Sequence, residues 1–341
     1  MRHPTLDWFR THSEMMSYSL NALYAVVGIS KQAVHGYAAR QLAYLKAVEG
    51  LRLAVDAYLI EHGGCGLTKL YWTLQPAFLG RDRFITLFHS LGYGFKRKRS
   101  PKRTTYAGIF SYQNLIEGLL VTDINQVWQT DITYILAKDR HYYAIFILDL
   151  YSKRILGHQV SNHMYTSANL KALKKSFKAR EANSFPTLIH HSDRGSQYGA
   201  KRYTEALSKA NIHISMGRSA QENAYAERVN GTVKNEYLNF KSLASFNDVN
   251  REVNKAVKHY NNCRIHNHLP NRFSPVKFEK YIKEQKPDDR PFLVVHAYDR
   301  PGYQGAKQNK LPTFNLMKKK EGPFSAPLLS NPTFFNQSGQ R

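Results

Sequence analysis

Three acidic side chains stand where chemistry could be done: Asp131 inside the apolar run TDITY, Asp193 in HHSDRG, and Glu227 in NAYAERVNG. A carboxylate within an apolar strand is costly to bury unless a cation compensates it. Converging carboxylates attract hard divalent cations that prefer oxygen ligands, Mg2+ or Mn2+. Two such ions about 3.5–4 Å apart can activate a water or hydroxyl and steady the leaving oxygen of an in-line phosphoryl displacement. Taken singly, each acid has a plainer reading: Asp193 as a turn former or helix cap, Glu227 as a surface acid, Asp131 as a salt-bridged strand residue. The neighbours of Glu227 shift the balance. Asn223, Glu227, Asn230, Gly231 and Lys234 fall at i−4, i, i+3, i+4 and i+7, one polar stripe on a helix. A carboxylate on that stripe suits a metal, with Lys234 two turns on as a contact to DNA phosphate.

The elements that must gather these acids are legible in the texture of the chain. VWQTDITYIL (127–136), HYYAIFILDLYS (141–152) and ILGHQVSNH (155–163) are rich in β-branched and aromatic residues, with polar breaks between them. They predict three sequential strands in an antiparallel meander. A helix over 167–180, a strand over 187–191, a helix over 201–209, a strand over 213–216 and a long helix over 224–238 follow. That order predicts an α/β layer fold around a mixed sheet of about five strands.

Upstream, the first hundred residues read as helical. Leu20, Leu23, Val26 and Val27 precede a Gly28-Ile29 turn, and Ser30 can cap a helix over 31–41. Helix, glycine turn and basic helix is the helix-turn-helix layout, which puts Lys31 and Gln32 at the start of a candidate DNA-reading helix. Leu42, Leu45, Val48, Leu51, Val55 and Leu59 then mark one side of a longer amphipathic stretch ending at His62-Gly63-Gly64. A second helical unit runs over 67–91 with an inner turn at Leu79-Gly80-Arg81. The run Lys96-Arg97-Lys98-Arg99 behind it reads as a phosphate-tracking arm. The expected division is 1–60 and 61–105 for the helical units, 120–282 for the layer fold, and 283–341 for a disordered basic tail.

The 341 residues carry 49 Lys and Arg against 25 Asp and Glu, a formal charge of +24. Such a charge repels itself in the compact state, so an acidic partner is implied, with nucleic acid first and an anionic membrane surface second. A hydrophobic content of 42% excludes wholesale disorder. The two cysteines, Cys65 and Cys263, exclude a disulfide framework and fit a reducing cytosol. No apolar run approaches the ~18 residues of a membrane span, and the opening stretch lacks the hydrophobic region of a secretory signal.

WQTDITYI, LDLYSKRILGHQVS, HHSDRGSQY, NAYAERVNGTVKNEYL and YNNCRIHNHLPNRFSP, in that order, resemble the transposases of bacterial insertion sequences that carry a retroviral-integrase type of core. The resemblance is close in motif order over about 125–280 and looser over about 15–105. It implies an RNase H-like fold, with Asp131, Asp193 and Glu227 as a D-D-E triad holding two Mg2+ or Mn2+ ions. It also implies double-stranded DNA as partner, both element ends and target, a homo-oligomer on that DNA, and a place in the bacterial cytoplasm beside the nucleoid. Lys234 matches the basic residue that follows the glutamate in that family. The 33 residues between Asp193 and Glu227 are slightly fewer than is usual there, and the shortfall lies in the loop MGRSAQEN. Two other readings stay open: a non-catalytic DNA-binding regulator, and an RNase H-like nuclease that cuts without joining.

Other residues weigh less. Glu222 is a rival to Glu227 outside the AER motif, and Asp149 sits on the neighbouring strand. His190 and His191 precede Asp193, one expected to point into the core and one toward the site. His259, His266 and His268 lie near Cys263 but lack the second cysteine of a zinc site. Trp128 and Tyr134 read as core packing, and Gln197, Tyr198, Arg228 and Asn230 as DNA contacts.

Overall fold

The computed structural model describes residues 20–28, 30–94, 112–138, 140–218 and 220–295, with residues 12 and 14 besides. The arm Lys96, Arg97, Lys98 and Arg99 and residues 296–341 lie outside the described residues.

Helix α1 (Leu20–Val27) ends at Gly28, whose φ of +71° is the left-handed turn that only glycine adopts cheaply. Ser30 then caps α2, accepting the Ala33 N–H at 3.1 Å. The helix expected over 31–41 does not stop there: α2 is continuous over Lys31–Glu61, because Gln41 and Leu42 offer no break. The apolar stripe expected along it is buried only in its second half, at Leu51 and Val55, while Leu42 and Leu45 are 56% and 59% exposed. There α2 packs on α3 (Leu67–Leu74) and α4 (Arg81–Ser90) through Leu70, Leu79, Phe84 and Phe88.

The five-stranded sheet has the order β4-β3-β2-β5-β6, from β2 (Val127–Ala137), β3 (Arg140–Asp149), β4 (Ile155–Ser161), β5 (Ile189–Ser192) and β6 (His213–Met216). The first three strands form the expected antiparallel meander, and β5 and β6 run parallel to β2. Side chains alternate across it. Phe146 and Leu148 face α8 (Ala224–Thr232) and α9 (Phe246–Asn262), whereas Ile145 and Ile147 face α5 (Thr166–Arg180) and α7 (Lys201–Lys209), which follows the short α6 (Ser196–Gly199). Burial on both faces explains why β3 reads as a near-continuous apolar run. A mixed sheet of this order between helical layers is the RNase H-like fold.

The long helix expected over 224–238 has three pitches: α8, a π-helical turn over Val233–Tyr237, and a 3-10 turn over Leu238–Phe240. The change falls where another segment bonds to its backbone, as Gly64 donates its N–H to the Glu236 carbonyl at 2.8 Å. A Cβ on Gly64 would lie 2.6 Å from the Glu236 Cα, so glycine is required by that approach. The sheet domain also runs past the boundary expected at 283. After α10 (Pro275–Glu284), β7 (Leu293–Val294) pairs with β1 (Leu120–Val121) and closes a third apolar cluster.

Candidate active site

Asp131 and Asp193 are brought together by strand register. Strands β2 and β5 pair Val127 with Ile189, Trp128 with His190 and Gln129 with His191. The last of these pairs, Gln129 with His191, lies two residues before Asp131 on β2 and two before Asp193, so both acids follow the paired stretch at the same end. The Asp193 Oδ1 then accepts the Gly195 N–H at 3.0 Å, holding the loop out of the strand.

Helix α8 is fastened over the same stretch of β2 by three bonds. Asn223 Nδ2 donates to the Thr130 carbonyl at 2.9 Å, the Ala226 N–H to Gln129 Oε1 at 3.3 Å, and Asn230 Nδ2 to Asp131 Oδ2 at 2.9 Å. Glu227, one place beyond Ala226 and one turn before Asn230, therefore belongs to the Asp131 end of the helix.

The electrostatics register the convergence. Burial, then the charges of Asp193 and Glu227, push the Asp131 carboxyl up to about 8, against the opposing bonds from Ile132 N–H and Asn230. Glu227 is raised by burial and by Asp193, and Asp193 by burial. Lys234, beyond α8 on the same stripe, is lowered by burial and partly held up by the charge of Asp131. Among the described residues no three His, Cys, Asp or Glu side chains close into a ready metal cage. Mg2+ rarely uses one, since it keeps waters and takes one or two carboxylates plus a substrate phosphate. Oxygen donors that repel each other, beside the buried and unpartnered Asn230 Oδ1, fit that manner of binding.

Several residues sit elsewhere than expected. Asn230, read as a DNA contact, is buried and faces Asp131, because its bond to the carboxylate turns it inward. Tyr198 is 1% exposed and shares a 3.3 Å contact with Thr130 Oγ1, which leaves it no surface for DNA. Gln197 donates to the Met164 carbonyl. Both histidines before Asp193 point into the protein: His190 meets Tyr203 Oη at 3.0 Å and His191 meets Ser215 Oγ at 2.8 Å, and burial lowers both. Glu222 is engaged by Asn114 and the Arg218 N–H. Asp149 accepts from Arg180 and three backbone N–H groups at the far end of β3. Trp128 is buried core, and half-buried Tyr134 donates to Met164 Sδ. His259 meets Tyr237 Oη at 3.0 Å. Lys31, Gln32 and Arg228 are exposed. Gln129, whose side chain receives the Ala226 N–H, escaped sequence reading; a polar residue two places before Asp131 on an apolar strand was its only signal.

Two family models, each described as an integrase core domain, match residues 122–221 and 208–273. A putative transposase for insertion sequence element IS986/IS6110 of Mycobacterium tuberculosis is 35% identical over 240 residues, 67% of this chain and 86% of that one. The insertion element IS600 31 kDa protein of Shigella sonnei is 33% identical over 268 residues, 75% and 97% of the two chains. The transposase for IS904 of Lactococcus lactis is 32% identical over 226 residues, 59% and 87%. Among solved structures, the HTLV-2 integrase catalytic core domain in complex with magnesium aligns with a TM-score of 0.36 at 17% identity, over 49% of this chain and 99% of that one.

Proposed function

This chain belongs to the insertion-sequence transposases that carry an integrase core domain, and on that premise we propose that it cuts DNA strands at its element's ends and joins them to target DNA through Asp131, Asp193 and Glu227. The observation that supports the reading is the parallel pairing of β2 with β5, which leads Asp131 and Asp193 to the same end of the paired strands, together with the bond from Asn230 that ties Asp131 to the helix of Glu227.

The three carboxylates would hold two Mg2+ or Mn2+ ions, which when bound supply an activated water or hydroxyl and charge neutralisation at the leaving oxygen. The chain's own residues position. Asn230 fixes Oδ2 of Asp131 while the Ile132 N–H holds Oδ1, so the carboxylate is oriented through both oxygens. Asn223 and Gln129 hold α8 against β2, so Glu227 cannot drift from Asp131. Lys234 and Arg228 take DNA phosphates, Lys234 on the Asp131 side of the helix. No side-chain nucleophile is called for, since oriented attack on a phosphodiester depends on placement and charge. Lys31 and Gln32, with the Lys96–Arg99 arm, would read the terminal repeats, and a homo-oligomer would bridge two ends. The work takes place in the cytoplasm, beside the nucleoid.

The test incubates purified protein with an oligonucleotide carrying the flanking repeat, with Mg2+ or EDTA. The expected products are a nick that frees a 3′-hydroxyl and then a joined strand, both only with metal. Both should vanish in Asp131→Asn, Asp193→Asn and Glu227→Gln. Nicking without joining would make it a nuclease, and binding without nicking a regulator.

A further inference from the structure

Helix α2 carries apolar side chains on two opposite faces. One is filled: Leu51 and Val55 are buried against α3 and α4. The other is open, with Leu42, Leu45, Leu53 and Ile60 at 56%, 59%, 58% and 67% exposed. At about 100° per residue, Leu42 and Ile60 stand about five turns apart at the same azimuth, with Leu53 about 20° to one side and Leu45 about 60° to the other. Leu51 and Val55 point about 140–180° away from that line. Singly exposed leucines are ordinary on a protein surface. Four large apolar side chains on one face over about 27 Å form the kind of patch that marks an interaction site.

The charges beside this stripe select its occupant. Lys46 lies about 40° to one side of the line through Leu42 and Ile60, and Glu49 and Asp56 lie about 20° and 40° to the other. Arg52 follows on the acidic flank, donating to Glu49 at 2.7 and 2.9 Å and to Asp56 at 3.3 Å. Against a second α2 laid parallel and in register, Lys46, Glu49 and Asp56 would each meet its own copy, a repulsive arrangement. Laid antiparallel about the level of residue 51, midway along the stripe, Leu42 comes level with Ile60 of the second copy. Lys46 then comes level with its Asp56, and Glu49 stands within about 1.5 Å of the height of its Arg52, on the same flank. Two-fold symmetry repeats each match, so the face is complementary to itself in one orientation only. A charged position inside an apolar stripe fixes the direction of paired helices in the same way.

We propose that the open face of α2 is a dimer interface, on which a second copy of this chain packs its own α2 antiparallel. The interface rests on the transposase reading, for which it supplies the contact between two copies that bridge two element ends. One pair of helices offers far fewer side chains than the roughly 20–30 a side of a standard interface, so the free dimer is weak, with a Kd on the order of 10 μM. Two copies held on paired DNA ends meet at an effective concentration near ~1 mM, and the contact then fills.

The test follows the full chain by sedimentation equilibrium, without DNA, across the micromolar range. A reversible dimer is expected. Leu53→Asp should weaken it about 10-fold or more with unchanged circular dichroism, because the side chain it replaces is exposed. Glu49→Arg should weaken it a few-fold, and adding Arg52→Glu should restore it, which loss of packing alone would not allow. Orientation is read by cross-linking in a Cys263→Ser background, since Cys263 is exposed. A Leu42→Cys chain should couple through a short thiol linker to an Ile60→Cys chain but not to itself, its own copy lying about 27 Å away. Coupling of Leu42→Cys to itself instead, or a dimer indifferent to Leu53→Asp, overturns the proposal. So does a chain that stays monomeric with and without element-end DNA; a photoreactive group at position 42 that then attaches to residues 296–341 of the same chain makes that tail the occupant. Dimers of the expected kind that never cut DNA sink the transposase reading and leave the interface standing. Paired-end joining undiminished in Leu53→Asp sinks the interface alone.

Discussion

Two acidic centres, one buried around Glu236 and one half-buried around Asp131, flank a single helical run and are built on opposite principles. Around Glu236, donors outnumber acids. Burial disfavours its charge, yet Arg264, His62 and Lys69 outweigh that and hold the carboxyl far below its usual range. His62, whose pKa burial lowers against the pull of Glu236, donates through Nε2, since a carboxylate can only accept. Around Asp131 the acids outnumber the donors, and burial plus neighbouring carboxylates push it up to about 8. The first centre is satisfied by the protein itself and joins the N-terminal unit to the core. The second keeps mutually repelling carboxylates beside one another, an arrangement that accords with the proposed metal-dependent site.

The largest effect that would break this contrast is on catalysis. Asp131→Asn should reduce metal-dependent nicking by about 10³-fold or more and leave the melting temperature equal or higher, read by gel assay and calorimetry. A variant that unfolds instead would make Asp131 a structural acid like Glu236. Next, Glu236→Gln should destabilise the fold by about 3–5 kcal/mol, because it strips a buried guanidinium of its partner. Urea unfolding measures this, and a loss under ~1 kcal/mol would equate the pair with a surface bridge.

Asn230→Ala should weaken Mg2+ or Mn2+ affinity about 10–100-fold, as losing the hydrogen bond that orients a ligand does; calorimetric titration decides it. The pH response is smaller and opposite in the two centres. Glu236 has a depressed folded pKa, so its stabilisation is present above the ordinary value of about 4.3 and is lost as pH falls below it. Asp131 has a raised one, so its neutral form favours the fold at low pH, and metal-free stability is lost as pH climbs from about 4 through about 8. Measured against Asp131→Asn in EDTA, the wild type should therefore lose ground steadily over that interval. A constant difference would mean the carboxyl is not perturbed.

Much of this was legible beforehand. The strands of the meander announced themselves by β-branched and aromatic runs, and the acids stood out as candidates by their motifs, because both signals are local. What escaped was long-range. Nothing near Glu236 in sequence foretells His62, 174 residues away, nor that Gly64 would alter the helix pitch there. Asn230 lay on the recognised stripe, yet spacing alone could not say whether its amide faced solvent or Asp131. The 31-residue α2 was divided too early because a motif template, rather than a breaking residue, supplied the boundary.

The widened turn at Val233–Tyr237 spends one more residue than an α-helical turn needs. Excising a residue there would yield a more regular helix and a worse protein. The helical run beyond the excision would rotate by about 100°, swinging Glu236 out of reach of His62 and Lys69 on the N-terminal unit while Glu227 stayed in place. The irregularity thus acts as a phase adjuster, letting one continuous rod present an acid to each of two centres that an unbroken helix could not serve together.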